Sequence, residues 1–194
     1  MQELLNNVLE IAMSAGNAIL EIYHCQGEAV AVTEKSDNSP LTAADLASHH
    51  YIVNALAQIS DLPILSEESA SIPWPQRKTW QCYWLIDPLD GTKEFIKHNG
   101  EFTVNIALIE GHRAVLGVVV APVLQRAWFA AQGLGAMRQD CGQAPVPIHV
   151  ANRDPASAWR VVGSRSHGSD SMADFVNYLG AVELVSWAVH SSYA

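Results

Sequence analysis

Two aspartates three residues apart follow an apolar run near the middle of this 194-residue chain. The run 82–86 ends at Asp87, and a proline and a glycine in the same string predict a turn that brings Asp87 and Asp90 to one point. Glu67 ends another short apolar run and adds a third carboxylate. Oxygen clusters of this kind suit Mg²⁺, with water in the remaining positions. The spacing therefore predicts a magnesium site formed by these three acids and the carbonyl of Leu89.

A phosphate site is expected directly beside this metal site. Gly91 and Thr92 come at the start of a short helix predicted at 92–97, where free backbone amides and the helix dipole favour an anion. Asp45, early in another predicted helix, is by itself a common partner of a helix dipole. The alternative reading treats the aspartate string as an ordinary turn and Glu67 as part of a solvated loop.

Composition narrows the classes of function. Eleven Lys and Arg stand against 20 Asp and Glu, giving a formal charge of −9, which disfavours nonspecific nucleic-acid binding. The cysteines Cys25, Cys82 and Cys141 form no C-x-x-C pair, so neither a disulfide framework nor a zinc site is expected. The sequence shows no signal-peptide pattern and no long apolar stretch, which predicts a cytoplasmic protein. The alternative is peripheral attachment to the inner face of the cell membrane. The oligomeric state is left open.

Hydrophobic periodicity predicts an α+β protein. Helices are expected at 4–23 and 43–59, the second with Thr42 as its N-cap. Its buried stripe is predicted to comprise Leu46, Ile52, Val53, Leu56 and Ile59. The remaining predicted elements are strands at 29–33, 102–109, 114–120, 127–131, 145–150 and 159–162, of which the second to fourth form an antiparallel meander, and a helix at 171–179.

The strings around the acids resemble a known family. Residues 84–92 read Trp-Leu-Ile-Asp-Pro-Leu-Asp-Gly-Thr, and they are preceded by Glu-Glu-Ser at 67–69 and Thr-Ala-Ala-Asp at 42–45. This combination closely resembles the lithium-sensitive, magnesium-dependent inositol monophosphatase superfamily. The segments 37–42, 87–95 and 163–167 are most similar to its 3'(2'),5'-bisphosphate nucleotidases of bacterial sulfate assimilation.

The resemblance implies an α-β-α-β-α sandwich and hydrolysis of 3'-phosphoadenosine 5'-phosphate to AMP and phosphate, with several Mg²⁺ ions and a small-molecule nucleotide as the partner. It implies that Asp45, Thr92 and Glu67 form the catalytic set, in which Thr92 orients the attacking water and Asp45 helps to draw off its proton. The implied metal ligands are Glu67, Asp87, Leu89 and Asp90. The implied substrate contacts are Glu67, Leu89, Asp90, Gly91, Thr92, Ser164 and His167.

The chain also departs from the family pattern. The resemblance predicts a later Trp-Asp motif, but none of the six tryptophans is followed by aspartate. The expectation is one inositol monophosphatase-like domain over 1–194 that lacks the family's C-terminal segment, so that the second sheet is incomplete. Two alternatives remain open: an inositol phosphate hydrolase and an inactive metal-binding remnant. The haloacid dehalogenase class is disfavoured, because its two aspartates are two residues apart.

Overall fold

A computed structural model describes residues 1–25, 32–34, 40–69, 71–150, 152, 154, 157–164 and 170–187. The chain forms two compact units, Met1–Ile148 and His149–Ala194. The prediction that 1–194 forms one domain stays a prediction. Among the described residues, no helix combines the length and the apolar character that crossing a membrane requires.

The described residues form five helices and eleven strands. The helices are α1 (Gln2–His24), α2 (Ala43–Ile59), α3 (Trp74–Arg77), α4 (Thr92–Ile96) and α5 (Asp170–Leu179). The strands are β1 (Val32–Glu34), β2 (Pro40–Thr42), β3 (Ile64–Ser66), β4 (Cys82–Asp90), β5 (Thr103–Glu110), β6 (Arg113–Ala121), β7 (Arg126–Ala131), β8 (Gly135–Asp140), β9 (Val146–Ile148), β10 (Trp159–Ser164) and β11 (Val182–Trp187).

The first unit is built around a seven-stranded sheet in the order β3-β4-β5-β6-β7-β8-β9. β3 pairs with β4 in parallel, and every later pair is antiparallel, which confirms the predicted meander. β1 and β2 form a separate antiparallel pair. Because β4 and β8 run in the same direction, their carboxyl ends, at Asp90 and Asp140, lie at the same edge of the sheet.

The core lies between α1, α2 and one face of this sheet. Alternate residues of β5, such as Val104 and Ile106, are buried, as the period of a strand requires. On α1 the buried residues Val8, Ala12 and Ile19 follow helical spacing and confirm the predicted first helix.

α2 begins as predicted but buries a different face. Thr42 is its N-cap: the Thr42 amide donates to Asp45 Oδ2 at 2.8 Å, and the Thr42 hydroxyl accepts from the Ala44 amide at 3.2 Å. The predicted apolar stripe was wrong at both ends, because Leu46 is 38% and Ile59 37% exposed. The buried residues are Ala44, Asp45, Ser48, Ile52 and Leu56. The first half of this helix therefore buries polar side chains, and they face the candidate site described below.

Among its described residues, the second unit holds a parallel pair of strands and one helix. β10 pairs with β11, from Trp159 opposite Val182 to Ser164 opposite Trp187. The strand at 159–162 and the helix at 171–179 were predicted, whereas β11 in this unit and β8 in the first were missed. β8 carries Gly, Arg, Gln and Asp, which do not form an apolar strand pattern.

Candidate metal centre

β4 carries the two aspartates past the point where its regular pairing ends. The strand was predicted to stop at Asp87, but it continues to Asp90 with an irregular register between these two residues. Asp87 pairs with Asn105, and Asp90 pairs with Thr103. This break in the ladder brings both carboxylates to one place, as the proline and glycine in the string led us to expect.

Both aspartates are buried among other acids. Asp87 is 4% and Asp90 9% exposed. Burial, the nearby charges of Glu67 and Asp90 and a side-chain hydrogen bond with Glu67 raise the pKa of Asp87 to about 9, against a smaller opposing effect of the Leu89 backbone. Burial and Glu67 likewise raise the pKa of Asp90 to about 7, although its hydrogen bond with Asn105 opposes the shift. The surroundings of these carboxyl groups therefore do not stabilise their ionised form.

Two carboxylate oxygens in this cluster have an environment that suits a metal ligand. Asp87 Oδ1 and Asp90 Oδ1 are buried and have no hydrogen-bond partner. An unsatisfied buried oxygen is costly, and such atoms are rare unless a ligand or ion completes them. Within the described part of the chain, no three His, Cys, Asp or Glu side chains form a ready-made metal cage. The effect of Glu67 on both aspartates nevertheless places the three acids within interaction range, an open arrangement that suits an ion retaining several waters.

Thr92 and Asp45 form a hydrogen-bonded pair next to the cluster. Thr92 Oγ1 lies 3.1 Å from Asp45 Oδ1 and 3.3 Å from the carbonyl oxygen of Leu89. Its single hydroxyl hydrogen can be donated fully to one of these oxygens at a time. Asp45 is fully buried, and its Oδ2 accepts from the Thr42 amide and hydroxyl. Asp45 thus links the start of α2 to the first residue of α4, and the carboxylate is fixed from both sides.

Gly91 is required by its backbone conformation and by its close neighbours. It precedes α4 with φ 100° and ψ 37°, a left-handed conformation that favours glycine. A Cβ atom at this position would lie 2.9 Å from the Glu101 carbonyl oxygen and 3.2 Å from Phe102 Cα. The Gly91 carbonyl accepts from the Phe95 amide at 2.9 Å. The turn that presents Thr92 is therefore packed tightly against residues 101–102.

Sequence reasoning missed four polar residues around the cluster. Asn105 Nδ2 donates to Asp90 Oδ2 at 3.4 Å, and the nearby charge of Glu94 adds to the raised pKa of Asp90. Ser48 and His49 of α2 contact the two strands that carry the acids. The spacing of Ser48 and His49 relative to Asp45 was a usable signal, since residues three and four apart share one helix face.

The nucleotide-contacting loop proposed for the second unit is only partly described. Ser164 is the last residue of β10. His167 lies outside the described residues, as do residues 29–31 of the strand predicted at 29–33, residues 35–39 and residues 188–194. The contacts expected of Ser164 and His167 stay predictions.

Comparison with known proteins identifies the family. The sequence pattern of the Inositol monophosphatase family matches residues 1–191, almost the whole chain. This chain belongs to the inositol monophosphatase family. Enzymes of this family are metal-dependent phosphatases. The buried carboxylate oxygens without a hydrogen-bond partner, described above, are consistent with this metal dependence.

Its relatives are nucleotidases by name. The chain is 46% identical over 184 residues to the 3'(2'),5'-bisphosphate nucleotidase CysQ of Salmonella typhimurium, covering 94% of this chain and 72% of that protein. The Escherichia coli K12 protein of the same name is 45% identical with the same coverage. The crystal structure of CysQ from Bacteroides thetaiotaomicron, a bacterial member of the inositol monophosphatase family, is 35% identical with a TM-score of 0.80, covering 96% of this chain and 73% of that one. The predicted α+β sandwich class is thereby confirmed.

Proposed function

We propose that this chain is a Mg²⁺-dependent phosphomonoesterase that removes the 3'-phosphate of 3'-phosphoadenosine 5'-phosphate and yields AMP and phosphate. The observation that carries the proposal is the pair of buried, unpartnered oxygens Asp87 Oδ1 and Asp90 Oδ1 beside the Thr92–Asp45 pair. The names of the relatives direct the choice of substrate.

In this proposal Glu67, Asp87, Asp90 and the Leu89 carbonyl hold the metal. Bound Mg²⁺ would supply Lewis-acid polarisation of the phosphate and lower the pKa of a bound water. The chain's carboxylates must then be ionised, so metal binding releases the protons that the raised pKa values of Asp87 and Asp90 otherwise retain.

Thr92 and Asp45 act on the water. A Thr92 hydroxyl that donates to Asp45 leaves its own oxygen free to accept from a water molecule, which fixes the orientation of that water. The water oxygen bonds to phosphorus, the bond from phosphorus to the ribose oxygen breaks, and the ribose oxygen takes up a proton from solvent. The proton lost by the water moves towards Asp45 through Thr92. Glu67 completes the catalytic set, and the amides of Gly91 and Thr92 hold the phosphate.

Ser164 and His167 are proposed to contact the nucleoside. They distinguish a nucleotide substrate from an inositol phosphate, because the metal-binding string is common to both substrate classes. This part of the proposal rests on the resemblance of residues 163–167 to the nucleotidase subgroup.

Phosphate release tests the function directly. We expect release from 3'-phosphoadenosine 5'-phosphate to exceed release from inositol 1-phosphate at saturating Mg²⁺, and both to stop in EDTA. Preference for inositol phosphate would overturn the nucleotide assignment, and turnover that survives EDTA would overturn the metal mechanism. Mg²⁺ binding without turnover would show an inactive remnant.

A further inference from the structure

The first half of α2 presents a polar face to the metal centre. Asp45 and Ser48 are fully buried and His49 is half-buried, although these positions lie on a helix that otherwise buries apolar side chains. Residues spaced by three and four lie side by side on a helix, so the three form one polar patch. Burial of polar groups is unfavourable unless each is hydrogen-bonded, which makes their partners informative.

Each member of this patch contacts a different segment of the site. Asp45 reaches Thr92 on α4, as described above. The Ser48 hydroxyl donates to the carbonyl of Pro88 at 2.7 Å, within the irregular part of β4 between the two aspartates. His49 Nδ1 lies 2.9 Å from Ser66 Oγ at the end of β3. One helix face therefore holds α4, β4 and β3 at once.

Ser66 controls the turn that carries Glu67. Its hydroxyl oxygen accepts from the Glu68 amide at 3.2 Å, and its carbonyl accepts from the Ser69 amide at 3.2 Å. The Glu67 amide itself donates to the carbonyl of Ile86 at 3.2 Å. The side chain of Glu67 is thus presented by a turn whose geometry depends on where the Ser66 hydroxyl lies.

His49 occupies the remaining side of that hydroxyl. Because Ser66 Oγ accepts from the Glu68 amide, its hydrogen is available to His49 Nδ1 when the imidazole carries its proton on Nε2. Burial and the neighbouring His50 lower the pKa of His49, which keeps the ring neutral at pH 7. The neutral ring can accept this hydrogen.

We propose that His49 is a positioning residue that fixes Glu67 in the metal centre through the hydroxyl of Ser66. The inference rests on the proposed function in one respect, namely that Glu67 is a metal ligand. Groups that orient metal ligands tune metal affinity, and their loss typically costs about 10–100-fold in affinity or activity. Loss of the His49 contact is therefore expected to weaken Mg²⁺ binding.

The variants separate the hydrogen bond from the packing. His49→Leu removes the ring nitrogens and keeps an apolar body, whereas His49→Asn retains a polar atom near the position of Nδ1. His50→Leu is the matched control, because His50 is the exposed neighbour on the same helix and undergoes the same chemical change. Ser66→Ala removes the other partner of the contact.

Two measurements are made on each variant. The first titrates Mg²⁺ alone into EDTA-stripped protein and follows the rise in Tm. We expect His49→Leu and Ser66→Ala to need about tenfold more Mg²⁺ for half the effect, while His49→Asn and His50→Leu stay within about threefold of the parent. The double variant should not exceed either single change.

The second measurement is amide hydrogen exchange at Glu68, which reports the turn without any metal. Exchange should be faster in His49→Leu than in His50→Leu. Unchanged exchange would overturn the positioning role, and faster exchange with unchanged Mg²⁺ affinity would overturn its link to Glu67. If Mg²⁺ does not raise the Tm of the parent but exchange at Glu68 is still faster in His49→Leu than in His50→Leu, the proposed metal function is refuted. The positioning of the turn by His49 is then supported. If His49→Leu fails to fold, the same criteria apply to His49→Phe, which keeps an aromatic ring without nitrogen atoms.

Discussion

Two groups of charged side chains lie at the same edge of the seven-stranded sheet, at the ends of β4 and β8. At the end of β8, Asp140 bonds to Arg126 Nε, and its other oxygen lies 3.2 Å from Arg138 Nε. The hydrogen bond from Arg126, together with the positive charges of both arginines, lowers the pKa of Asp140. At the end of β4, the neighbours of Asp87 and Asp90 are other acids, and both pKa values are raised.

The contrast shows what each carboxylate is suited for. The Asp140 charge is balanced by the chain's own guanidinium groups. The acids of the candidate metal centre are buried with unpartnered oxygens, and in the proposed function a cation from outside the chain would complete them. Burial and unbalanced charge together, rather than the presence of acids alone, distinguish the candidate site from an ordinary ion pair.

The largest effect is expected from removing the charge of Asp87. We predict that Asp87→Asn lowers phosphate release at saturating Mg²⁺ by about 1000-fold or more, equivalent to about 4 kcal/mol of barrier. The same change should raise the Tm of the metal-free protein, because it removes a buried carboxyl that is surrounded by other acids. Activity within threefold of the parent would contradict the functional difference that we assign to the two clusters.

Removing the hydroxyl of Thr92 tests the chemistry rather than the charge. We predict that Thr92→Ala lowers kcat about 100-fold with KM within threefold, because the hydroxyl orients water while the backbone holds phosphate. Thr92→Ser keeps the hydroxyl that reaches Asp45 and should recover most of the rate. Steady-state kinetics on the three proteins make the measurement; a raised KM with unchanged kcat would contradict the assignment.

Much of this site was visible in the sequence because its parts are local. The aspartate string, its glycine and the capping threonine of α2 are recognisable without the fold, and the structure places Asp45 against Thr92 as the resemblance implied. The meander was equally predictable, because its strands are rich in Val, Ile, Ala and aromatic residues and are joined by short turns.

The rest depends on contacts between distant segments. Hydrophobic periodicity placed Leu46 in the core of α2, whereas the structure buries Asp45 and Ser48 because the site lies on that side. A pattern that scores only apolar residues cannot identify a buried polar face. The contact of His49 with Ser66 joins residues 17 apart, and that of Ser48 with Pro88 joins residues 40 apart, so neither follows from local spacing.

The pH dependence of the unfolding free energy in the absence of metal tests the same contrast between the two clusters. A carboxyl whose pKa rises from 3.8 to about 9 on folding keeps its proton longer in the folded chain, so its contribution to stability falls as pH rises between these values. The pKa of His49 is lowered on folding, so its contribution to stability rises with pH below the normal value of 6.5. Subtracting a variant that retains His49 removes this opposing contribution. We predict that the unfolding free energy of the parent minus that of Asp87→Asn decreases from pH 5 to pH 8 in EDTA, as measured by urea unfolding. A difference that rises with pH would contradict the buried acid cluster.

The smallest effect is expected at Asp140, where the same substitution meets the opposite environment. Asp140→Asn removes an ion pair that is partly open to solvent, and Arg126 retains its contact with Trp128, 5.8 Å from its ring centre. We therefore predict a fall in Tm of less than about 4 °C at pH 7 and no change in phosphate release or in the Mg²⁺ response. Because the pKa of Asp140 is lowered in the folded chain, its stabilisation exists above the unfolded value of 3.8 and is lost as pH falls below it. The difference in Tm between parent and variant should thus shrink as the pH falls below 3.8 and also shrink in high salt. A loss of Mg²⁺ response in Asp140→Asn would show that the two clusters are not independent.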